Sequence, residues 1–135
     1  MITRGLWTMA VVLALAGPGW GGQGSKLDSS QASAFMGTWV IAMEIPQGAQ
    51  ETVKIWDEDG KVAASVQSGR FPPLTVKDIA RAGDSLVLRV ERWENGKPKQ
   101  AVVTLTRDGE LMKMTQELEG SRVTQHGSGK RQSGR

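Results

Sequence analysis

The chain has no cysteine, no tyrosine, one histidine and two phenylalanines in 135 residues. Without cysteine there is no disulfide framework, no thiol nucleophile and no cysteine-built zinc site. The lone histidine, His126, precedes Gly127-Ser128-Gly129 near the end of the chain. It reads as a solvated side chain, because acid–base or nucleophilic catalysis needs a positioned partner and a cleft. No Gly-rich phosphate loop is present. Asp57-Glu58-Asp59-Gly60 glances toward a calcium loop, but its glycine comes too early and the distal glutamate is missing. Glu117 and Glu119 share a strand face, yet no cleft is implied between them as a glycosidase would require. These absences point away from an enzyme and from any cofactor or metal.

Long apolar runs are also scarce. The clearest is Leu6 to Ala16, eleven residues with Thr8 as the only polar member, preceded by Arg4 and followed by Gly17-Pro18-Gly19. It is too short for a membrane span, which takes about 20 apolar residues. The pattern is that of a secretory signal. The expected organisation is a signal peptide over 1–22, a polar lead-in over 23–36, a β domain over 37–128 and a basic flexible tail over 129–135. Export to a bacterial periplasm or exterior follows, with no membrane association once the signal is removed. The net charge of +3 does not indicate nucleic acid. Arg4, Lys130, Arg131 and Arg135 lie outside the domain, which between Lys26 and His126 carries 13 Lys/Arg against 14 Asp/Glu. Nor do aromatics alternate with basic residues, as a single-strand platform would need.

What is abundant is a period of two. Trp39, Ile41, Met43 and Ile45 alternate with polar or small neighbours, as do Val53 and Ile55, Val62 to Val66, Leu86 to Val90, Ala101 to Leu105, and Met112 with Met114. Turn signals supply a sharper test, since a two-residue loop fixes the register of its hairpin. Asn95-Gly96 places Val90 opposite Ala101, Leu88 opposite Val103 and Leu86 opposite Leu105. Asp59-Gly60 places Ile55 opposite Ala64 and Val53 opposite Val66. Asp108-Gly109 would set Leu105 against Met112 and Val103 against Met114, and Glu119-Gly120 would set Gln116 against Val123. All four agree with the hydrophobic pattern of the strands they join, Gln116 being the one polar member of the inner face. Between Pro73 and Asp84 the pattern falters, because Val76 and Ile79 both face inward only if a bulge intervenes. The predicted fold is all-β: a small closed antiparallel up-and-down meander barrel of about eight strands, since closure removes the exposed edges. An open sheet or small sandwich is the alternative.

At Gly37-Thr38-Trp39 the chain resembles the calycin group, which includes lipocalins, fatty-acid-binding proteins, avidins and certain bacterial metalloprotease inhibitors. The span from Gly37 to Arg131 is also similar to small exported bacterial lipocalin-like proteins of no assigned function. The resemblance implies that Trp39 plugs one end of the barrel beneath a basic side chain, for which Arg122, Lys130 and Arg131 are candidates. The chain departs from lipocalins in being shorter and in lacking a helix after the last strand.

Barrels of this size are either filled by their own side chains or wide enough for one small ligand. A small apolar ligand would meet Trp39, Met43, Met112 and Met114, with Gln116 and Gln125 as polar contacts. Trp56 and Trp93 fall on the outward face, opposite Ala63 and Pro98, and are candidates for a surface that binds a sugar or a protein partner. The expected function is therefore non-enzymatic binding of a small apolar ligand or a protein partner. The alternative is a secreted protease inhibitor of the calycin type, presenting Ser29-Ser30-Gln31-Ala32-Ser33 before Phe35.

Overall fold

The computed structural model describes residues 25–45, 47–76 and 78–132. The expected signal over 1–22, the first two residues of the lead-in and the end of the tail, 133–135, lie outside the described residues. A two-part 3-10 helix, Ser29–Phe35, breaks at Ala32 and precedes the strands. It is followed by β1 (Gly37–Met43), β2 (Gln50–Glu58), β3 (Lys61–Ser68), β4 (Leu74–Val76), β5 (Asp78–Ala82), β6 (Ser85–Glu94), β7 (Lys97–Asp108), β8 (Leu111–Leu118) and β9 (Thr124–Arg131).

All strands belong to one antiparallel sheet in the order β4-β3-β2-β1-β9-β8-β7-β6-β5. The two outermost strands are neighbours in the chain. β4 pairs with β3, and one residue later β5 pairs with β6. The sheet thus curls into a nearly closed up-and-down barrel whose seam is spanned by the backbone itself. Val76, at the end of β4, and Ile79, in β5, are both buried, so the two face inward from separate strands and not along one regular strand. Taken as one pass, β4 and β5 bring the nine strands to the eight expected.

Two turns hold the expected registers. In Asp59-Gly60 and Asn95-Gly96 both residues have positive φ, the requirement of a type I′ hairpin turn. Their pairs include Ile55 with Ala64 and Leu88 with Val103. The other two registers need correction by two residues. Leu105 pairs with Met114 and Arg107 with Met112, so the turn is Gly109-Glu110. Gly109 alone has positive φ there, placing it at the first central position, as in a type II′ turn. Gln116 pairs with Gln125 rather than Val123, because residues 119–123 form a longer loop in which Ser121 N donates to Leu118 O at 2.9 Å. A slip of two leaves every side chain on its own face, so the inward set is unaffected.

The chain beyond 128 is also not the loose tail expected. Gly129, Lys130 and Arg131 continue β9; Gly129 and Lys130 pair with both β1 and β8, and Arg131 pairs with Trp39 of β1. Two inward positions of β9 hold glycines because β1 crosses close behind them. A Cβ on Gly129 would lie 1.8 Å from Val40 O, and one on Gly127 would lie 2.7 Å from Met43 Sδ. Ile45 leaves the alternation: β1 ends at Met43, Glu44 N donates to His126 O, and Ile45 is exposed.

The interior is one apolar cluster built from every strand except β9, with Ala32 and Phe35 of the 3-10 helix completing it. At about 25 cal/mol per Å² of buried apolar surface, this cluster is the main source of stability.

Candidate binding site at the open end

The two ends of the barrel differ. At one end Trp39 is fully buried, and its Nε1 donates to Phe35 O at 2.9 Å. The Arg131 guanidinium lies 4.6 Å from the Trp39 ring centroid and that of Arg107 lies 5.0 Å away. Both arginines also donate to Ala34 O at the end of the 3-10 helix, and Arg81 donates to Gln31 O while covering Phe35. Of the three expected covers for Trp39, Arg131 takes the position. Arg122 sits in the 119–123 loop at the opposite end, and Lys130 points outward from β9. Gly37 is needed here: its φ is +120° and the Arg131 side chain packs where a Cβ would stand.

The other end is open. Here β1, β3, β6 and β8 finish, and a cavity of about 420 Å³ lies among Glu51, Arg92, Lys99, Gln116, Leu118 and Gln125. Its floor is polar. Arg92 donates to Glu51 Oε1 at 3.0 Å and to Ser68 Oγ at 2.9 Å, and Ser68 in turn donates to Glu51 Oε2 at 2.6 Å. The pair is mostly withdrawn from water, with side-chain exposures of 19% for Arg92 and 10% for Glu51. Such a pair persists only when its remaining donors and acceptors are met. Beside it Gln116, only 6% exposed, donates through Nε2 to Gln125 Oε1 at 3.0 Å. Two buried atoms on this floor have no partner among the described residues: Arg92 Nε and Gln116 Oε1.

Of the six interior residues expected from the sequence to meet a ligand, Gln116 and Gln125 line this cavity. Trp39, Met43, Met112 and Met114 do not. Trp39, Met112 and Met114 are at most 1% exposed and Met43 is 6% exposed, all within the packed core. Glu51, Arg92 and Lys99 were not anticipated as site residues. A signal for them was present, because each continues the inward parity of its strand: Glu51 before Val53 and Ile55, Arg92 after Leu88 and Val90, Lys99 before Ala101 and Val103.

The surface candidates lie apart. Trp56 pairs with Ala63 and is 40% exposed, its Nε1 donating to Glu58 at 3.2 Å. Trp93 pairs with Pro98 and is 67% exposed. It borders a groove on the outer wall at the seam, with Leu74, Asp78 and Arg89. His126 is exposed on β9 opposite Thr115. Asp59-Gly60 is a hairpin turn, as its dihedral angles require.

Comparison with protein-family models, with curated proteins and with solved structures finds no match to this chain. The architecture, a nearly closed antiparallel up-and-down barrel, is compatible with a lipocalin-like fold.

Proposed function

We propose that the protein is an exported, non-enzymatic binding barrel related to the calycins, taking a small guest through its open end. The observation that carries this reading is the inequality of the two ends. One is sealed by Trp39, the 3-10 helix and three arginines, whereas the other opens onto a cavity of about 420 Å³. That volume lies within the range of about 300–1,000 Å³ typical of small-molecule sites.

The inhibitor alternative needs Ser29–Ser33 as a free strand. Ala32 and Phe35 are instead anchored in the core, and Ser29 N donates to Gly60 O. A protein partner on the outer wall near Trp93 is the second binding mode the fold offers. Native mass spectrometry of the protein purified from its own source separates these. A reproducible extra mass of small-molecule size, lost on denaturation, is the expected result. A bare chain, together with no binding of any small molecule at the open end, would defeat the proposal and move the search to the outer wall.

A further inference from the structure

We infer that the open end of the barrel docks on the surface of a lipid bilayer, with four apolar side chains of its rim entering the interface. The inference does not depend on a guest in the cavity. It is carried by where the exposed apolar residues stand.

An up-and-down barrel gathers alternate connections at each end. The open end receives the β1–β2, β3–β4 and β8–β9 loops and the β6–β7 turn, and the sealed end receives the turns at 59–60, 83–84 and 109–110. Five large apolar side chains are exposed among the described residues, and four of them stand at the open end. Ile45 lies in the β1–β2 loop, Phe71 in the β3–β4 loop and Val123 in the β8–β9 loop, while Trp93 stands two residues before the β6–β7 turn. All four are 59–72% exposed, and the sealed-end turns carry no apolar side chain. Single exposed apolar residues are ordinary. One on every connection of one end, and none on the turns of the other, is an arrangement that marks an interaction surface.

The rim holds these side chains outward. Phe71 N donates to Ser68 O and Phe71 O accepts from Gln67 Nε2, both at 2.9 Å, and Pro72-Pro73 follow. Val123 N donates to Ser121 Oγ at 3.1 Å, and the β1–β2 loop is closed by Met43 N on Ala49 O at 2.9 Å. Side chains fixed on one stiff barrel enter a surface together, so their contributions combine.

Charge and shape select the lipid surface. The sealed-end turns carry Asp59, Asp84 and Glu110 and no cation, so lipid phosphates repel that end. At the open end Arg70 directly precedes Phe71 and Arg122 directly precedes Val123, and both arginines are exposed. An apolar anchor beside a cation that reaches phosphate is what an interface between water and lipid takes. Of the two carboxylates in these loops, Glu44 and Glu119, the second accepts from Gln100 N at 3.0 Å. A protein partner would have to match four separate projections around a polar mouth. A bilayer interface has no fixed shape to match, and it leaves water and head groups at the mouth while the side chains go deeper. The expectation of no membrane association rests on the apolar run at 6–16 alone. The rim is invisible to it, because only the fold brings four separate connections to one end.

The test is co-sedimentation of the protein, purified from its own source, with vesicles of phosphatidylethanolamine and phosphatidylglycerol. Saturable binding is the expected result. Phe71→Ser and Trp93→Ser should each lower the affinity about tenfold or more, the usual effect of no longer burying a large apolar side chain, and Trp56→Phe should leave it unchanged. Lipids brominated on their acyl chains should quench tryptophan emission in Trp56→Phe, which keeps Trp93, and not in Trp93→Phe, which keeps an apolar anchor. No binding to the vesicles would overturn the inference. Binding that Phe71→Ser and Trp93→Ser leave unchanged, or quenching that survives Trp93→Phe, would overturn it equally. A protein that binds through Phe71 and Trp93, with no affinity of the barrel for vesicles, would reassign the rim to a protein partner. A guest in the cavity is read separately by native mass, so either reading can fail while the other stands.

Discussion

The sealed end and the open end are made of similar residues put to opposite use. Each combines arginines with neighbouring carbonyl, carboxylate or amide groups. At the sealed end, Arg81, Arg107 and Arg131 spend their donors on backbone oxygens of the 3-10 helix and of the adjoining turns, and lie over Phe35 and Trp39. A 3-10 helix leaves its last carbonyls unpaired, and these side chains close that account. At the open end Arg92 is engaged with Glu51 and Ser68, and Arg92, Glu51 and Gln116 line a cavity. The lesson is that arginine content does not distinguish a plug from a site. The surroundings do: Arg107 lies over a packed indole and has an unpartnered Nε just as Arg92 has, whereas Arg92 lines a cavity.

The largest expected effect follows at the sealed end. Trp39→Ala removes a fully buried indole, its bond to Phe35 O and the surface on which two guanidinium groups rest. Truncating a buried aromatic to alanine costs about 3–5 kcal/mol, and loss of the cation–π contacts adds about 1 kcal/mol or less each at this partly exposed end. Equilibrium unfolding in urea should therefore show a loss near the upper part of that range. A loss below about 2 kcal/mol would mean that Trp39 is not the keystone of this end, and the contrast between the two ends would weaken accordingly.

Much of this arrangement was legible in the residues, and the failures have physical reasons. Asn95-Gly96 and Asp59-Gly60 fixed their hairpins because both central positions need positive φ, which Asn, Asp and Gly tolerate. Asp108-Gly109 looked the same but works as Gly109-Glu110, since a glycine after an aspartate can fill either central position of a primed turn. The error was even-numbered and so harmless to the core. β9 was only half legible: of its inward positions Gln125 is polar, and Gly127 and Gly129 carry no apolar signal because residues 40–43 of β1 occupy the space a side chain would need. Gln116 and Gln125 could be read as polar members of the interior. Glu51 and Arg92 shared its parity but were passed over, because their pairing joins β2 to β6, strands 41 residues apart in the chain, and no turn connects them.

A middle-sized effect tests the open end directly. Arg92→Met leaves the Glu51 carboxylate mostly buried with Ser68 as its remaining partner, and Glu51→Leu leaves the Arg92 guanidinium in the same position. Breaking a fully buried pair costs about 3–5 kcal/mol, and the partial exposure of this one lowers the expectation to about 2–3 kcal/mol for either single variant. The double variant Glu51→Leu with Arg92→Met should recover most of that loss, because two apolar side chains replace two desolvated charges. A double-mutant cycle by urea unfolding reads the coupling. Strict additivity would mean that the two groups do not depend on one another, and the floor of the cavity would lose its central element.

The smallest effects are expected on the outer wall, and they separate its two tryptophans. Trp56 stands opposite Ala63, toward the sealed end, and is 40% exposed, with a hydrogen bond to Glu58. Its partial burial predicts a loss of about 1 kcal/mol for Trp56→Ala. Trp93 stands opposite Pro98, beside the Asn95-Gly96 turn at the open end, and is 67% exposed. Trp93→Ala should change stability by no more than about 0.5 kcal/mol, the usual range for surface substitutions. The tryptophan that stability does not need is therefore the one nearer the cavity, bordering the groove with Leu74 and Arg89. Thermal unfolding of the two variants provides the comparison. If Trp93→Ala proves the more costly, then Trp93 is held in place by packing across the seam between β4 and β6, and its exposure no longer marks it as available to a partner.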